Sequence, residues 1–177
     1  LRQGELLGLR WIDVDLDARK LRVVQTRANV PGPAKFGPPK SNSSRRAMAF
    51  TATSQTFLRE HRVNQLLSQV KATKWENAEG LIFTSPTGAP LDSSGVTHRF
   101  QQFLQANGLP RQRFHDLRHC SGSFLLSQGV SVKAVAERLG HSQITLTLGT
   151  YAHLVGELQG ETAGLMDEVL SGRRTSG

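Results

Sequence analysis

The stretch Phe114-His115-Asp116-Leu117-Arg118-His119-Cys120 decides how the rest of this sequence is interpreted. It places His115 three residues before Arg118, and residues three apart lie on one face of a helix. The short stretch Leu139-Gly140-His141 follows, and Tyr151 comes ten residues after that histidine. In this order the chain presents a histidine–arginine pair, another histidine and its only tyrosine.

Two stretches nearer the N-terminus extend this pattern. Leu1-Arg2-Gln3-Gly4-Glu5-Leu6 precedes Leu9-Arg10-Trp11-Ile12-Asp13, and Lys40-Ser41-Asn42-Ser43-Ser44-Arg45-Arg46 follows after a Pro- and Gly-rich segment. The ordered set resembles the motifs of the tyrosine recombinases, the phage-integrase family, over nearly the whole chain. The positions that match the catalytic residues of that family are Arg2, Lys40, His115, Arg118, His141 and Tyr151.

The resemblance implies an α+β, mostly helical chain with the tyrosine-recombinase catalytic-domain fold and a small antiparallel sheet near its N-terminal end. We expect this catalytic domain to occupy residues 1–170 and the tail 171–177 to be disordered. Such enzymes carry a DNA-gripping N-terminal domain before the first of these motifs, and we expect that domain to be absent from this chain.

The implied reaction is site-specific DNA recombination or integration through a 3′-phosphotyrosine intermediate, without metal or ATP. Tyr151 would attack the phosphodiester, with His115 as general base because imidazole titrates near neutral pH. Arg2 and Arg118 would bind the non-bridging oxygens through their planar forks. Lys40 would protonate the leaving 5′-oxygen, and His141 would donate a hydrogen bond to the phosphate.

Two lysines on the same segment compete for the role of general acid. Lys40 stands at the matching position of the family's hairpin, while Lys35 lies on the same Pro- and Gly-rich loop. Glu5 is expected to be structural and to hold an arginine in place. The expected contacts with DNA outside the catalytic set are Lys35, Arg45, Arg46, Arg111 and Arg113.

The composition agrees with a DNA-binding protein. The chain has 177 residues and a net charge of +8, of which the first 50 residues carry +6 from ten basic and four acidic side chains. A charge of this sign favours a polyanion such as double-stranded DNA. No apolar run is long enough to span a membrane, and a single cysteine excludes an internal disulfide. We expect a cytoplasmic, DNA-associated protein of a prokaryote.

Metal and cofactor sites are not predicted. His115 and His119 are four residues apart, a spacing that can bind zinc, but no glutamate follows the first histidine as in His-Glu-x-x-His. No third ligand is obvious from the sequence either. His119 is therefore interpreted as structural.

The hydrophobic pattern predicts a strand over 20–26, a loop over 29–39, a returning strand over 45–50 and helices from about 55, 93, 116, 131, 142 and 161. In the helix over 55–72 we expect the apolar side chains to face the core; they are Phe57, Leu58, Leu66, Leu67 and Val70. The cap of this helix is expected to be Thr51, Thr53 or Ser54. Further helices start at caps such as Ser93 or Ser94 and Ser131, and stop at glycines such as Gly140.

Two rival functions remain open at this stage. A type IB topoisomerase shares the chemistry but relaxes DNA without exchanging partners, and a relic would bind DNA without cutting it. The resemblance also implies a tetramer on DNA in which C-terminal helices are exchanged between protomers. An apolar stripe over Ala163, Met166 and Leu170 is consistent with such a helix.

Overall fold

The computed structural model of the protein describes residues 1–30, 32–39 and 44–140. The chain divides into two compact units, of which the first is Leu1–Arg118 and the second begins at His119. The prediction for Lys40 concerns a residue outside this part. The predictions for His141, Tyr151 and all other residues after 140 also lie outside it. In the described part no helix is long and apolar enough to cross a membrane.

Five α-helices and five short strands make up the described part. The helices are α1 Gln3–Leu7, α2 Ala52–Lys71, α3 Ser93–Ala106, α4 Asp116–Ser127 and α5 Val132–Leu139. The strands are β1 Val14–Asp15, β2 Lys20–Val23, β3 Thr26–Arg27, β4 Phe36–Gly37 and β5 Arg46–Ala49, and a 3₁₀ turn covers Trp11–Asp13.

The strands form a three-stranded antiparallel sheet in the order β1-β2-β5 and a separate two-stranded ribbon of β3 and β4. β2 pairs with β5 from Lys20↔Ala49 to Val23↔Arg46, which confirms the predicted returning strand. The loop predicted over 29–39 is wrong at Phe36–Gly37, because this dipeptide pairs with β3 as Arg27↔Phe36 and Thr26↔Gly37. A two-residue strand is too short to show alternation in the sequence.

The core of the first unit forms where the sheet meets a segment that follows α2. Leu9, Leu21, Val23 and Ile82 are its buried members. The backbone N–H of Ile82 donates to the carbonyl of Leu9 at 2.9 Å. The short apolar run after Gly80 therefore lies against the chain segment that follows α1.

Apart from Leu58, helix α2 contacts the core through polar side chains, so its predicted core face is mostly wrong. Phe57, Leu66, Leu67 and Val70 are exposed, and only Leu58 of the predicted set packs against the core. The helix is attached instead by hydrogen bonds to backbone carbonyls. The side chains that make them are Gln55 to Leu16, His61 to Ile82, and Gln65 to Leu81 and Ile82.

Capping residues set the helix boundaries largely as predicted. Thr51 accepts from the backbone of Ser54 at the start of α2, and Ser131 accepts from Ala134 at the start of α5. Helix α3 is capped by Asp92 rather than by the predicted Ser93 or Ser94. Gly140 ends α5 in the left-handed conformation that glycine adopts readily. In the second unit, α5 packs its apolar face on Leu126.

Helix α1 lies directly on the backbone of β3. A Cβ atom added to Gly4 would stand 2.6 Å from the Thr26 hydroxyl and 2.8 Å from the Arg27 carbonyl oxygen. Because no Cβ fits there, glycine is required for α1 to lie this close to β3. This contact fixes the residue that precedes the helix, Arg2, relative to the ribbon.

Replacing Gly4 by alanine should therefore destabilise the fold by about 1–3 kcal/mol, the usual cost of overpacking. The comparison is with Gly37→Ala, because a Cβ at Gly37 meets nothing within 4 Å. Chemical denaturation of the two variants measures the difference. Equal stability of Gly4→Ala and the parent chain would show that α1 and β3 separate without cost.

Candidate active site

The carboxylate of Glu5 joins two arginines from different elements. Its side chain is only 2% exposed and receives two hydrogen bonds from the Arg46 guanidinium, Nη1 at 3.1 Å and Nη2 at 2.9 Å. Such bidentate pairs combine charge with fixed geometry. Arg46 belongs to β5, so Glu5 connects helix α1 to the sheet. Arg46, which the sequence predicts to contact DNA, is thus buried against Glu5, with 8% of its side chain exposed.

Arg2 is held by the same carboxylate but remains accessible. Its backbone N–H and its Nη1 donate to Glu5 at 2.8 and 2.9 Å, and Nη1 also donates to the Ser44 hydroxyl at 3.0 Å. The Arg2 side chain is 39% exposed. This arrangement orients a charged fork while leaving part of it open to a ligand. It supports the expectation that Glu5 holds an arginine in place.

The surrounding charges keep Glu5 ionised. Burial by itself raises the pKa of Glu5, but hydrogen bonds from Arg46 and from the Arg2 backbone, together with the charge of Arg46, outweigh it. The resulting pKa falls from 4.5 to about 2. The carboxylate therefore stays negative throughout the neutral pH range.

Helix α3 connects Arg2 to the turn that carries His115. Near the start of α3 the Gln3 amide donates to the Ser93 carbonyl at 2.9 Å and to the Thr97 hydroxyl at 3.2 Å. These bonds tie the start of α1 to the start of α3. The residue next to Arg2 in sequence is thereby fixed to a second element.

Further along the same face of α3, the segment before α4 is fixed by two contacts. The rings of Phe100 and Phe114 meet edge to face with centroids 5.4 Å apart, and the Gln101 amide donates to the Gln112 carbonyl at 2.6 Å. Edge-to-face aromatic pairs of this kind stabilise beyond their buried area. His115 follows the anchored Phe114 directly and is exposed.

The Asp116 carboxylate closes the turn around His115. It accepts from the backbone N–H of Arg113 at 3.0 Å and from the Arg113 guanidinium, whose pKa these contacts raise. Arg118 lies in the first turn of α4, is 6% exposed, and donates its backbone N–H to the His115 carbonyl at 3.0 Å. The predicted His115–Arg118 pair is thus joined at the start of one helix.

Two cavities of the first unit adjoin these residues and share Gln3 in their walls. One, of about 540 Å³, is lined by Arg2 and Ser44, and the other, of about 570 Å³, is lined by His115. Of the predicted catalytic set, the structure places Arg2, His115 and Arg118 in a single compact unit. Lys40, His141 and Tyr151 lie outside the described residues.

Comparison with known proteins identifies the group to which this arrangement belongs. The profile of the phage integrase family matches residues 1–157. The chain belongs to the phage integrase family. This membership confirms the resemblance drawn from the ordered motifs.

Members of the phage integrase family are also found among proteins of similar sequence. A XerC-like tyrosine recombinase of Caldanaerobacter subterraneus is 34% identical over 88% of this chain and 43% of its own length. An integrase of Staphylococcus phage L54a is 27% identical over 96% of this chain and 49% of its own length. The chain therefore spans about half the length of these relatives.

Solved structures confirm the predicted fold. The Tn1549 transposon integrase in complex with circular intermediate DNA superposes with a TM-score of 0.75 at 24% identity, over 93% of this chain and 56% of that protein. XerA recombinase superposes with a TM-score of 0.67 at 19% identity, over 91% and 53% of the two chains. The mostly helical fold with a small antiparallel sheet near the N-terminus is that of tyrosine-recombinase catalytic domains.

The four remaining basic side chains predicted to contact DNA are all exposed. Lys35, Arg45 and Arg111 are open to solvent, and Arg113 is exposed while paired with Asp116. The supporting residues that sequence reasoning missed are Gln3, Ser44, Phe100 and Gln101. Their contacts join elements far apart in the chain, which no local pattern reports.

Glu5→Gln should remove a large part of the acid sensitivity of the fold. Glu5 binds a proton near 4.5 when unfolded but near 2 when folded, so its stabilisation is present above pH 4.5 and is lost as pH falls towards 2. The difference corresponds to about 3 kcal/mol. Denaturant unfolding at a series of pH values should show that the variant is less stable than the parent chain at neutral pH. The fall of its free energy of unfolding with decreasing pH, here called the acid limb, should be less steep.

The control is Glu60→Gln, which changes the same side chain at an exposed position of α2. It should leave both neutral stability and the acid limb close to those of the parent chain. An acid limb that is equally steep with and without the Glu5 carboxylate would mean that another group controls acid unfolding.

Proposed function

We propose that this chain is the catalytic part of a site-specific DNA recombinase or integrase that cleaves and rejoins strands through a 3′-phosphotyrosine. The observation that carries the proposal is the half-exposed Arg2, clamped by Glu5 on the wall of a cavity. A clamped but accessible guanidinium is suited to stabilising charge that develops on a phosphate. Membership of the phage integrase family supports the same conclusion.

The proposed reaction needs no metal ion, because side chains supply the charge. Arg2 and Arg118 bind the non-bridging oxygens of the phosphodiester while the phenol oxygen of Tyr151 forms a bond to phosphorus. His115 takes the phenolic proton. The bond to the 5′-oxygen breaks, and Lys40 protonates that oxygen as it leaves.

His141 donates a hydrogen bond to the phosphate in this proposal. A 5′-hydroxyl from another strand then attacks the phosphotyrosine and restores a phosphodiester. The free energy of the original bond is kept in the phosphotyrosine link, so the exchange proceeds without ATP.

Double-stranded DNA is the proposed substrate and partner. The net charge of +8 is concentrated in the first 50 residues, and the exposed side chains of Lys35, Arg45, Arg111 and Arg113 are available for phosphate contacts. Arg46 is proposed to act indirectly, by holding Glu5. The structures of the Tn1549 transposon integrase are described as complexes with DNA, which agrees with this substrate.

The proposed working form is a tetramer on DNA in which each C-terminal helix docks on a neighbouring protomer. The apolar stripe over Ala163, Met166 and Leu170 supports an exchanged helix, because an apolar stripe has to be buried against another element. A DNA-associated location in the cytoplasm of a prokaryote follows from the same proposal.

Tyr151→Phe should abolish the covalent protein–DNA adduct and leave DNA affinity nearly unchanged. The substitution removes only the hydroxyl of the only tyrosine in the chain. The assay is incubation with a nicked duplex that contains the recombination site, followed by denaturing electrophoresis. An adduct that persists in the variant would exclude Tyr151 as nucleophile, and no adduct from the parent chain would favour a DNA-binding relic.

Lys40→Ala should slow cleavage far more than Lys35→Ala does. A general acid in phosphoryl or acyl transfer contributes about 10²–10⁴-fold in rate. A substrate with sulfur at the 5′-bridging position should restore cleavage by Lys40→Ala, because a thiolate leaves without protonation. Single-turnover cleavage measures both effects, and the absence of rescue would exclude Lys40 as the general acid.

A further inference from the structure

Helix α2 exposes an apolar stripe along its C-terminal half. The stripe, here called the α2 stripe, has four side chains at positions i, i+3, i+4 and i+7, which share one face of a helix. They are Val63, Leu66, Leu67 and Val70, which are 57%, 54%, 53% and 85% exposed. A surface helix normally turns such a stripe towards the core, so this orientation needs a physical reason.

Polar contacts prevent α2 from turning the stripe inwards. On the opposite face of the helix, His61 and Gln65 bind the Ile82 carbonyl at 2.7 and 2.9 Å. Gln65 also accepts from the Trp11 indole N–H at 2.6 Å. Rotating the helix would break these bonds and leave their buried partners unpaired, which is more costly than an exposed apolar side chain. The outward orientation of the α2 stripe is therefore built into the fold.

The α2 stripe has the character of a contact surface. Single exposed apolar side chains are normal on a protein, whereas contiguous apolar patches mark interaction sites. Phe57 is a single case of this kind, because it is 65% exposed but lies on another face of α2. In the described part, none of the residues that line the cavities beside Arg2 and His115 belongs to α2. The α2 stripe is thus separate from the candidate active site.

Charged side chains beside the α2 stripe indicate what covers it. Glu60 and Lys71 are exposed and lie eleven residues apart, about three turns, so both border the same edge of the stripe. None of the ion pairs among the described residues includes either of them. Arg59 and Lys74, by contrast, already form ion pairs within the chain. The edge of the stripe therefore carries a negative charge near one end and a positive charge near the other.

The apolar side chains fit a second copy of α2 in antiparallel orientation. In an antiparallel two-fold pair, residues at equal distances on either side of the centre face each other. The α2 stripe is centred between Leu66 and Leu67, which would contact the same two residues of the second copy. Val63 would face Val70 of the second copy. The stripe is thus complementary to itself.

The charges select the antiparallel orientation over the parallel one. In the antiparallel pair Lys71 of the second copy lies about 3 Å along the helix axis from the point that faces Glu60, which is within reach of its long side chain. In a parallel pair Glu60 would face Glu60 and Lys71 would face Lys71. Like charges in such positions repel, so the parallel pair is disfavoured.

We propose that the α2 stripe is a self-association surface, on which a second copy of this chain docks its own α2 in antiparallel orientation. The contact needs neither DNA nor strand cleavage, and it is distinct from the proposed exchange of C-terminal helices. The 20-residue helix is about 30 Å long and about 10 Å wide, so the contact is smaller than the about 800 Å² per partner of a standard interface. The dimer is therefore weak and forms at high protein concentration. In a dilute unfolding experiment the chain is monomeric, and Glu60 serves there as an ordinary exposed residue.

The first test is analytical ultracentrifugation of the full chain without DNA over a series of concentrations. The parent chain should show a reversible equilibrium between monomer and dimer. Leu66→Gln combined with Leu67→Gln should raise the dissociation constant of the dimer at least about 100-fold, because each copy loses two apolar side chains from the contact. Glutamine has nearly the helix propensity of leucine, so α2 is retained.

The matched control is Phe57→Gln. It also removes an exposed apolar side chain from α2, but on a face outside the stripe. It should leave the dissociation constant of the dimer unchanged.

The second test exchanges the charges at the edge of the stripe. Glu60→Lys and Lys71→Glu should each weaken the dimer by about two- to tenfold, the range expected of exposed ion pairs. The variant that carries both substitutions should regain the parent affinity, because opposite charges again face each other. An affinity that stays low in the combined variant would exclude the antiparallel orientation.

A parent chain that stays monomeric at all concentrations would overturn the inference. A dimer that persists unchanged in the glutamine pair would do the same, because self-association would then lie elsewhere in the chain. Thermal stability of the glutamine pair, measured on dilute protein, should equal that of the parent. A marked loss would show that the chain covers the stripe itself, which would also overturn the inference. A chain that forms no tyrosine adduct but dimerises through α2 contradicts the proposed reaction alone.

Discussion

One buried carboxylate, that of Glu5, connects the parts on which the described site depends. It accepts hydrogen bonds from Arg46 of the sheet and from Arg2 before the first helix, and these contacts outweigh the cost of its burial. Without them the negative charge would not be stable in the interior, and Arg2 would be a flexible side chain on an end turn. The Glu5 carboxylate thus attaches helix α1 to the sheet through Arg46 and orients the Arg2 guanidinium.

Helix α3 extends this organisation to the other side of the site. Gln3 binds the start of α3, and the Phe100–Phe114 contact anchors the turn before His115. The residues proposed to perform chemistry are few, and the contacts that place them are made by amides and aromatic rings with no chemical role. Positioning through such contacts is how a fold would convert ordinary side chains into the proposed phosphate site.

The sequence predicted those features that are encoded locally. The caps Thr51 and Ser131, the stop at Gly140 and the start of α4 at Asp116 follow from short-range rules, and the structure has them. The face of α2 was mispredicted because Gln65 and His61 bind backbone carbonyls that an apolar pattern does not register. The sequence predicts that Glu5 holds an arginine but does not single out Arg46, because the two residues are 41 positions apart in the chain.

The ribbon of β3 and β4 has a consequence for how the segment before Lys40 can vary. Arg27 pairs with Phe36, and the Ala28 N–H donates to the Lys35 carbonyl, so the excursion from residue 29 to 34 is closed at its base. Because lengthening a closed loop costs little free energy, insertions there need not displace Arg27 or β4. The excursion is thus a natural place to graft an epitope tag or a spectroscopic label in this chain.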